Sequence, residues 1–360
     1  MSTLIPPDPS VSTLYADNPI WADLKPVEQD VGENPMAPIF YAAEYKDATD
    51  YFRGVVAVGE HSARVLELTE RIIRLNPAHY TVWQYRWRTL QALKSDLATE
   101  TTLMDELGAT FLKNYQVWHH RRLLVSATQN AEPELVFSAN VVKHDAKNYH
   151  TWAYRQWVLA HFNRPSLWKG ELEFVDTMLG LDVRNNSAWH HRFFVVWLNG
   201  VVGEDETDRE DVLRRELAYA KEKIALAPNN ESAWNYLRGV LQQTQTPFST
   251  LRNFVEPYAV ARTRTDGASH YVSNAASAAA AAEEEEEVID LESPLPSVGA
   301  TLPCRLAIEF LAEIHEREGS EGLAQALKMY TALATEHDTI RKKYWEHRAR
   351  EAEKLHRSKT

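Results

Sequence analysis

The sequence predicts an all-α fold, a superhelix of paired-helix repeats, on three observations. Tryptophan recurs in one local frame at a near-constant interval, at Trp83, Trp118, Trp152 and Trp189. The segments between these residues carry apolar side chains at helical spacing. Glycine is scarce, 13 in 360 residues, a composition biased toward helix.

From the N-terminus, the first 38 residues hold seven of the 16 prolines. Proline lacks a backbone N–H and breaks a helix interior, so residues 1–39 are expected to form a tail that orders late or on a partner. Residues 40–355 read as a helical-repeat domain. "SARVLELTERIIRL" (62–75) puts Val65, Leu68, Ile72 and Leu75 on one face, with Arg64, Glu67, Arg71 and Arg74 outside it. A tryptophan-bearing segment follows, "NPAHYTVWQYR" (76–86). The frame returns in "FLKNYQVWHHR" (111–121) and "DAKNYHTWAYR" (145–155), the latter preceded by the helical "ELVFSANVVKHD" (134–145). It returns again in "DVRNNSAWHHR" (182–192), preceded by "LEFVDTMLGLD" (172–182), then in "APNNESAWNYLR" (227–238) and "DTIRKKYWEHR" (338–348).

The first three tryptophan intervals are 35, 34 and 37 residues, the size of a two-helix unit. Each unit is then an outer helix, a short loop and an inner helix carrying the tryptophan. Stacked units bury a continuous core and curve into a crescent with a concave face. The interval from Trp234 to Trp345 is 111 residues. It contains "AASAAAAAEEEEE" (275–287), low in complexity, acidic and without an apolar face. A solvated insert is expected at about 266–300, which leaves room for two degenerate units.

The composition is ordinary for a soluble chain, 44% hydrophobic and 25% charged. A formal net charge of −12 argues against general nucleic-acid binding, which needs a basic surface. The single cysteine, Cys304, can form no internal disulfide, and a reducing, cytoplasmic compartment is expected. No apolar run is long enough to span a bilayer, and no signal-peptide pattern opens the chain. His119–His120 and His190–His191 are adjacent pairs whose members diverge around a helix. That is poor ligand geometry, and no metal site is expected on this chain.

Within the repeated frame, the tryptophan and the arginine three residues later share one side of a helix. The tryptophans are expected to be packing residues. Arg86, Arg121, Arg155, Arg192 and Arg348 are expected to clamp helices, pairing with a carboxylate of the preceding unit or stacking on a ring. In the fifth unit Leu237 takes the arginine slot and Arg238 follows. Asn114 and Asn148 lie four residues before their tryptophans, where an inner helix begins, and asparagine is a favoured N-cap. Lys113 and Lys147 precede the two caps, and Tyr115 and Tyr149 follow them. At the positive ends of two helices these residues can form a small anion-binding rim. Nothing in the local pattern says which lysine matters more.

The Asn-x-x-x-Trp-x-x-Arg repeats, with "KNYQVWHHRR" (113–122) and "AKNYHTWAYRQW" (146–157) in successive units, resemble the α subunit shared by protein farnesyltransferase and protein geranylgeranyltransferase type I. The resemblance spans about residues 40–355 and includes the proline-rich tail. A generic tetratricopeptide array lacks this tryptophan spacing with Lys-Asn-Tyr in two successive units. The Ala/Glu insert departs from the family, away from these motifs. The resemblance implies an obligate heterodimer, with this chain wrapped around a β subunit that holds the catalytic Zn2+. That partner would also bind farnesyl or geranylgeranyl diphosphate, with Mg2+, and supply most of the peptide site. The implied reaction moves the prenyl group to the cysteine of a C-terminal CaaX sequence on proteins such as small GTPases, forming a thioether.

By the same resemblance, Lys113 matches the catalytic lysine beside the diphosphate. Tyr115 and Tyr149 match tyrosines near that diphosphate, with Asn148 and His150 beside them. Gln116 matches the residue that hydrogen-bonds the peptide's terminal carboxylate, and Tyr80 a tyrosine lining the pocket for the last CaaX residue. Two other functions stay open on the sequence: the α subunit of Rab geranylgeranyltransferase, which shares the tryptophan repeats, and a non-catalytic helical-repeat scaffold.

Overall fold

The computed structural model describes residues 14–30, 32, 35–37, 39–198, 206–261 and 293–357. The acidic stretch 275–287 and most of the insert expected at about 266–300 lie outside the described residues. Among the described residues the regular elements are all helical.

The chain divides into two compact units, one ending at Asn163 and one beginning at Arg164. The first contains α1 (Ala43–Val58), α2 (Ala63–Leu75), α3 (Tyr80–Leu93), α4 (Leu97–Thr110), α5 (Tyr115–Thr128), α6 (Glu132–His144) and α7 (Tyr149–Phe162). The second contains a short α8 (Pro165–Trp168), α9 (Glu171–Leu181), α10 (Asn186–Phe193), α11 (Glu206–Leu226), α12 (Glu231–Gln243), a short α13 (Arg252–Val255), α14 (Arg305–Arg317), α15 (Ser320–Ala332) and α16 (Lys342–Arg357). Consecutive helices pack as pairs, α2 on α3, α4 on α5 and α6 on α7 in the first unit, and α9 on α10, α11 on α12 and α14 on α15 in the second. Within the proline-rich stretch, Trp21 and Leu24 are buried in one cluster with Tyr51 and Phe52 of α1. From Tyr15 to Leu24 the segment expected as a tail therefore packs on the helical core, held also by Arg64, whose guanidinium covers the Trp21 ring and bonds Asp23.

The six repeat tryptophans are at most 4% exposed, so each ring is a packing element. Five of them also use the indole N–H in one way. Trp83, Trp118, Trp152, Trp189 and Trp234 each donate Nε1–H, at 2.8–2.9 Å, to the carbonyl six residues earlier: Pro77, Leu112, Ala146, Val183 and Pro228. The bond closes the turn between outer and inner helix and satisfies a buried donor. Asparagine four residues before the tryptophan then caps the inner helix. Asn114, Asn148, Asn185 and Asn230 each accept from backbone N–H groups of the first turn. The caps Asn148 and Asn230 also reach back one helix pair. Asn148 Nδ2 donates to the Leu112 carbonyl at 3.3 Å, and Asn230 Nδ2 to the Val183 carbonyl at 2.7 Å. Those carbonyls are the ones already taken by Trp118 and Trp189.

The arginines clamp helices: the buried carboxylates held by Arg86, Arg121 and Arg192 come from the following helix pair rather than the preceding one, whereas Arg348 of α16 reaches back to Glu316 of α14 at 3.0 Å. Arg86 of α3 forms a bidentate pair with Glu100 of α4, at 2.7 and 2.8 Å. Arg121 of α5 pairs with Glu134 of α6, and Arg192 of α10 with Glu216 of α11. The guanidinium also touches its own outer helix, Arg86 through the neutral acceptors Leu66 and Thr69, Arg121 through Asp105 at 2.7 Å and Arg192 through Asp176 at 2.5 Å. Ring stacking accompanies two of these pairs, with Arg121 over Phe137 and Arg192 over Tyr219, each 3.5 Å from the ring centre. In the shifted fifth frame Leu237 is buried and Arg238 takes over the clamp, reaching Glu313 of α14 at 3.0 Å.

Four of the buried carboxylates have a further partner two residues past the next tryptophan. His120 Nε2 meets Glu100 at 2.7 Å, and Tyr154 and Tyr236 donate to Glu134 and Glu216 at 2.6 Å. His191 meets Glu171 at 3.0 Å in the same way. One member of each histidine pair is thus a core residue. Burial opposes ionisation of Glu100, but the bonds from His120 and Arg86 outweigh it and hold the carboxyl at about 2. Burial lowers His120 below the usual imidazole range, so the ring is neutral and donates its Nε2–H.

Both shifts act in one direction with pH. An unfolded histidine takes up a proton below about 6.5 that buried His120 refuses, and unfolded glutamate protonates near 4.5, before Glu100 does. The unfolded state therefore binds more protons, and stability should fall as pH drops through 6.5 and again between 4.5 and about 2. Denaturant unfolding across that range checks it; a flat profile is the contrary result. Glu134→Ala strips buried Arg121 of its bidentate partner and leaves it only the half-exposed Asp105, and should cost about 1.5–3 kcal/mol. Replacing the pair together, Arg121→Met with Glu134→Leu, should cost less than that single change, because no buried charge is left stranded.

Candidate functional site

The duplicated Lys-Asn-Tyr segments lie side by side at the N-termini of α5 and α7. Asn114 accepts from Gln116 N–H at 2.9 Å and Val117 N–H at 3.3 Å. Asn148 accepts from His150 N–H at 3.0 Å and Thr151 N–H at 3.2 Å. With the caps fixed, Lys113 and Tyr115 stand on either side of the first helix start and Lys147 and Tyr149 on either side of the second.

The two tyrosines meet. Tyr149 Oη donates to Tyr115 Oη at 2.8 Å, and both rings remain largely exposed, at 55% and 67%. His150 is buried beneath them, its ring 4.0 Å from Tyr149 and 4.4 Å edge-on from Tyr115. Burial is the main cause of its lowered pKa, with Arg122 adding to it, so the imidazole is neutral at pH 7. Its Nε2 is buried without a hydrogen-bond partner.

Lys113 leans across to the next loop, where Asp145 Oδ2 lies 3.5 Å from its Nζ, while 76% of the side chain stays exposed. Asp145 Oδ2 also accepts from Asn148 Nδ2 at 3.4 Å. One carboxylate thus orients both the lysine of the first motif and the cap of the second.

Two clefts open beside this rim. One, of about 460 Å³, lies between α5 and α7 and is lined by Tyr115, Gln116, His119, Tyr149 and His150 among others. The second, of about 420 Å³, lies between α3 and α5, with Tyr80, Gln84 and Gln116 around a floor of Trp83 and Trp87. The structure brings Lys113, Tyr115, Asn148, Tyr149 and His150 into one cluster, and sets Tyr80 apart in the second cleft. Gln116 belongs to both. His119 also lines both clefts. It was legible only as half of a histidine pair, although its spacing three residues after Gln116 puts it on the same face.

The arrangement suits an anion. It offers an ammonium, a phenol pair and two capped helix starts. No carboxylate lines either cleft, and Asp145 is already engaged, so these residues do not fit a divalent cation. Among the described residues no group of three or more His, Cys, Asp or Glu is arranged to hold a metal ion. No helix among them is long and apolar enough to cross a membrane.

The family profile described as protein prenyltransferase alpha subunit repeat matches residues 62–93, 97–128, 131–162, 168–198 and 213–244. The protein farnesyltransferase/geranylgeranyltransferase type-1 subunit alpha of Dictyostelium discoideum is 37% identical over 238 residues, covering 63% of this chain and 71% of the relative. Its namesake from Schizosaccharomyces pombe is 44% identical over 239 residues, covering 66% and 78%. A solved structure titled Candida albicans protein geranylgeranyltransferase-I complexed with GGPP is similar with a TM-score of 0.74 and 25% identity, over 92% of this chain and 97% of that one.

The phenol pair can be tested directly. The Tyr149 pKa is raised chiefly by its hydrogen bond to Tyr115, because ionisation would remove the donated proton. Tyr115→Phe should therefore bring the Tyr149 titration back down toward 10.0. NMR of ring-labelled tyrosine reads this, and an unchanged titration would show that the hydroxyls do not pair.

Proposed function

The chain belongs to the protein prenyltransferase alpha subunit family, and from that premise we propose that it is the α subunit of a heterodimeric CaaX prenyltransferase. With a β subunit it transfers farnesyl, and in the shared form also geranylgeranyl, from the diphosphate to a cysteine thiol. The observation that carries this reading is the meeting of Lys113, the Tyr115–Tyr149 hydroxyl pair and His150 at two adjacent helix starts, next to a cleft that shares Gln116 with the one holding Tyr80.

The roles follow from the chemistry. Carbon–sulfur bond formation accompanies breakage of the carbon–oxygen bond, and the bonding pair leaves with the diphosphate. Cations and hydroxyl donors already in place gain most as that charge develops. Lys113, held over the rim by Asp145, is the catalytic cation. Tyr115 and Tyr149 donate to diphosphate oxygens once their mutual bond opens. Asn148 sets the second helix start, and His150 supports both rings. Gln116 receives the peptide carboxylate, and Tyr80 lines the pocket for the last side chain. Zn2+, held by the partner, would keep the acceptor thiol as thiolate. Mg2+, if used, arrives with the diphosphate rather than on side chains of this chain. The cytoplasm is the compartment this reading entails.

Lys113→Ala should slow single turnover by on the order of 10²–10³, the effect of removing one preorganised donor, with prenyl diphosphate affinity largely kept. Lys147→Ala, with the same local sequence, should cost less than about tenfold. Both are measured on assembled heterodimers at saturating substrates. A larger loss for Lys147→Ala, or a pure affinity loss for Lys113→Ala, would overturn the assignment.

A further inference from the structure

Arginines packed against this chain's helices hold carboxylates: buried Arg86, Arg121 and Arg192 do so in bidentate pairs, and half-buried Arg238 and Arg348 through single bonds. Arg122, half-buried and the next residue after a clamp, is different. Among the described residues no carboxylate lies within ion-pair distance of it. Its Nε is buried without a hydrogen-bond partner, and its guanidinium carbon sits 5.4 Å from the centre of the Trp157 ring. Burial lowers its pKa, and no opposite charge compensates.

The repeat itself does not ask for a cation here. Counted from the tryptophan, the same position is Trp87, Gln156 and Phe193 in three other helix pairs, and where the shifted fifth frame puts Arg238 there, that arginine holds Glu313. Nor does the diphosphate rim account for it. Arg122 follows Tyr115 by seven residues, two helical turns, so it lies roughly 10 Å farther along the α5–α7 cleft. Its neighbours in that cleft, His119, His150 and Ala153, bring no negative charge. A chain of net charge −12 thus carries a local cationic site on its inner-helix face. Covering an unpaired guanidinium with a second protein is strongly unfavourable unless that protein brings an acid.

We propose that Arg122 anchors the heterodimer by pairing with an aspartate or glutamate side chain of the β subunit, inserted into the α5–α7 cleft beyond the substrate rim. The proposal rests on the reading above only in requiring a partner. Its occupant is a carboxylate of that partner, and the substrate anions are the outcomes that exclude it.

The experiment co-expresses the full chain with its β subunit and measures subunit dissociation across a salt series, with steady-state kinetics on the assembled enzyme. Arg122→Gln should raise the dissociation constant at least about 30-fold, the consequence of truncating one member of a buried charge pair. Arg122→Lys should recover much of this, and the salt dependence should weaken in Arg122→Gln. Turnover and KM per assembled heterodimer should stay at the wild-type values. A dissociation constant within about twofold of wild type for Arg122→Gln overturns the proposal. So does a raised KM for peptide or prenyl diphosphate with dissociation unchanged, which would make the anion a substrate group. If Arg122→Gln fails to fold, Arg122→Lys decides alone: near-wild-type assembly that keeps the wild-type salt dependence is expected, and failure of the folded lysine variant to assemble, or a lost salt dependence, counts against a carboxylate partner. Assembly without any prenyl transfer by the wild type would defeat the functional reading and leave this result interpretable.

Discussion

One hydrogen bond sets the geometry on which the rest depends: the indole N–H of a repeat tryptophan bonded to the carbonyl six residues behind it. A buried indole needs an acceptor, and a carbonyl at the end of an outer helix needs a donor. One contact satisfies both, and fixes the turn between paired helices. The asparagine two residues past that carbonyl then falls at the N-cap, and the residues on either side of it stand at the helix start. Lys113 and Tyr115, or Lys147 and Tyr149, occupy those places because the tryptophan determines where the helix begins. The candidate chemistry is thus placed by a packing residue that never touches it.

The second recurrent device, a buried arginine–glutamate pair completed by tyrosine or histidine, does something else. A buried ion pair is a weak net stabiliser, because desolvation offsets most of the attraction. Its effect lies in selectivity of packing. An outer helix that slid by one residue against the inner helix before it would strand both a guanidinium and a carboxylate. With Glu100, Glu134 and Glu216 each held by two or more partners, that alternative is strongly disfavoured. Register between helix pairs is therefore set by charge, while the apolar faces supply most of the favourable free energy.

Much of this was legible in the sequence. The helix pairs, the tryptophan cores and the Asn114 and Asn148 caps follow from periodicity and cap chemistry, because these are local properties with fixed spacings. The glutamates were not legible. Arg86 finds Glu100 after 14 residues, Arg192 finds Glu216 after 24 and Arg238 finds Glu313 after 75. A pairing whose separation depends on loop length leaves no periodic trace. The same holds for the direction of the clamp, expected toward the preceding pair, found toward the following one at Arg86, Arg121 and Arg192, and toward an earlier helix at Arg348. At the site, the Lys-Asn-Tyr duplication was visible, but the contact between Tyr115 and Tyr149 depends on two helix starts lying next to each other. The proline-rich stretch misled for a different reason. Proline forbids helix interior, yet it does not prevent Trp21 and Leu24 from burying against α1.

The carbonyls of Leu112 and Val183 each serve two donors, their own tryptophan and the asparagine cap of the next helix pair. This divides the chain into rigid and adjustable parts. The seven residues from carbonyl to indole cannot gain or lose one, since both bonds would break together. The remainder of each repeat is under no such restriction, and tryptophan intervals accordingly range from 34 to 45 residues over the first five copies. At the last copy the acceptor becomes the side chain of Asp338, seven residues before Trp345. A carboxylate on a rotatable stem replaces a fixed carbonyl there, so that turn is held by a side chain that can adjust.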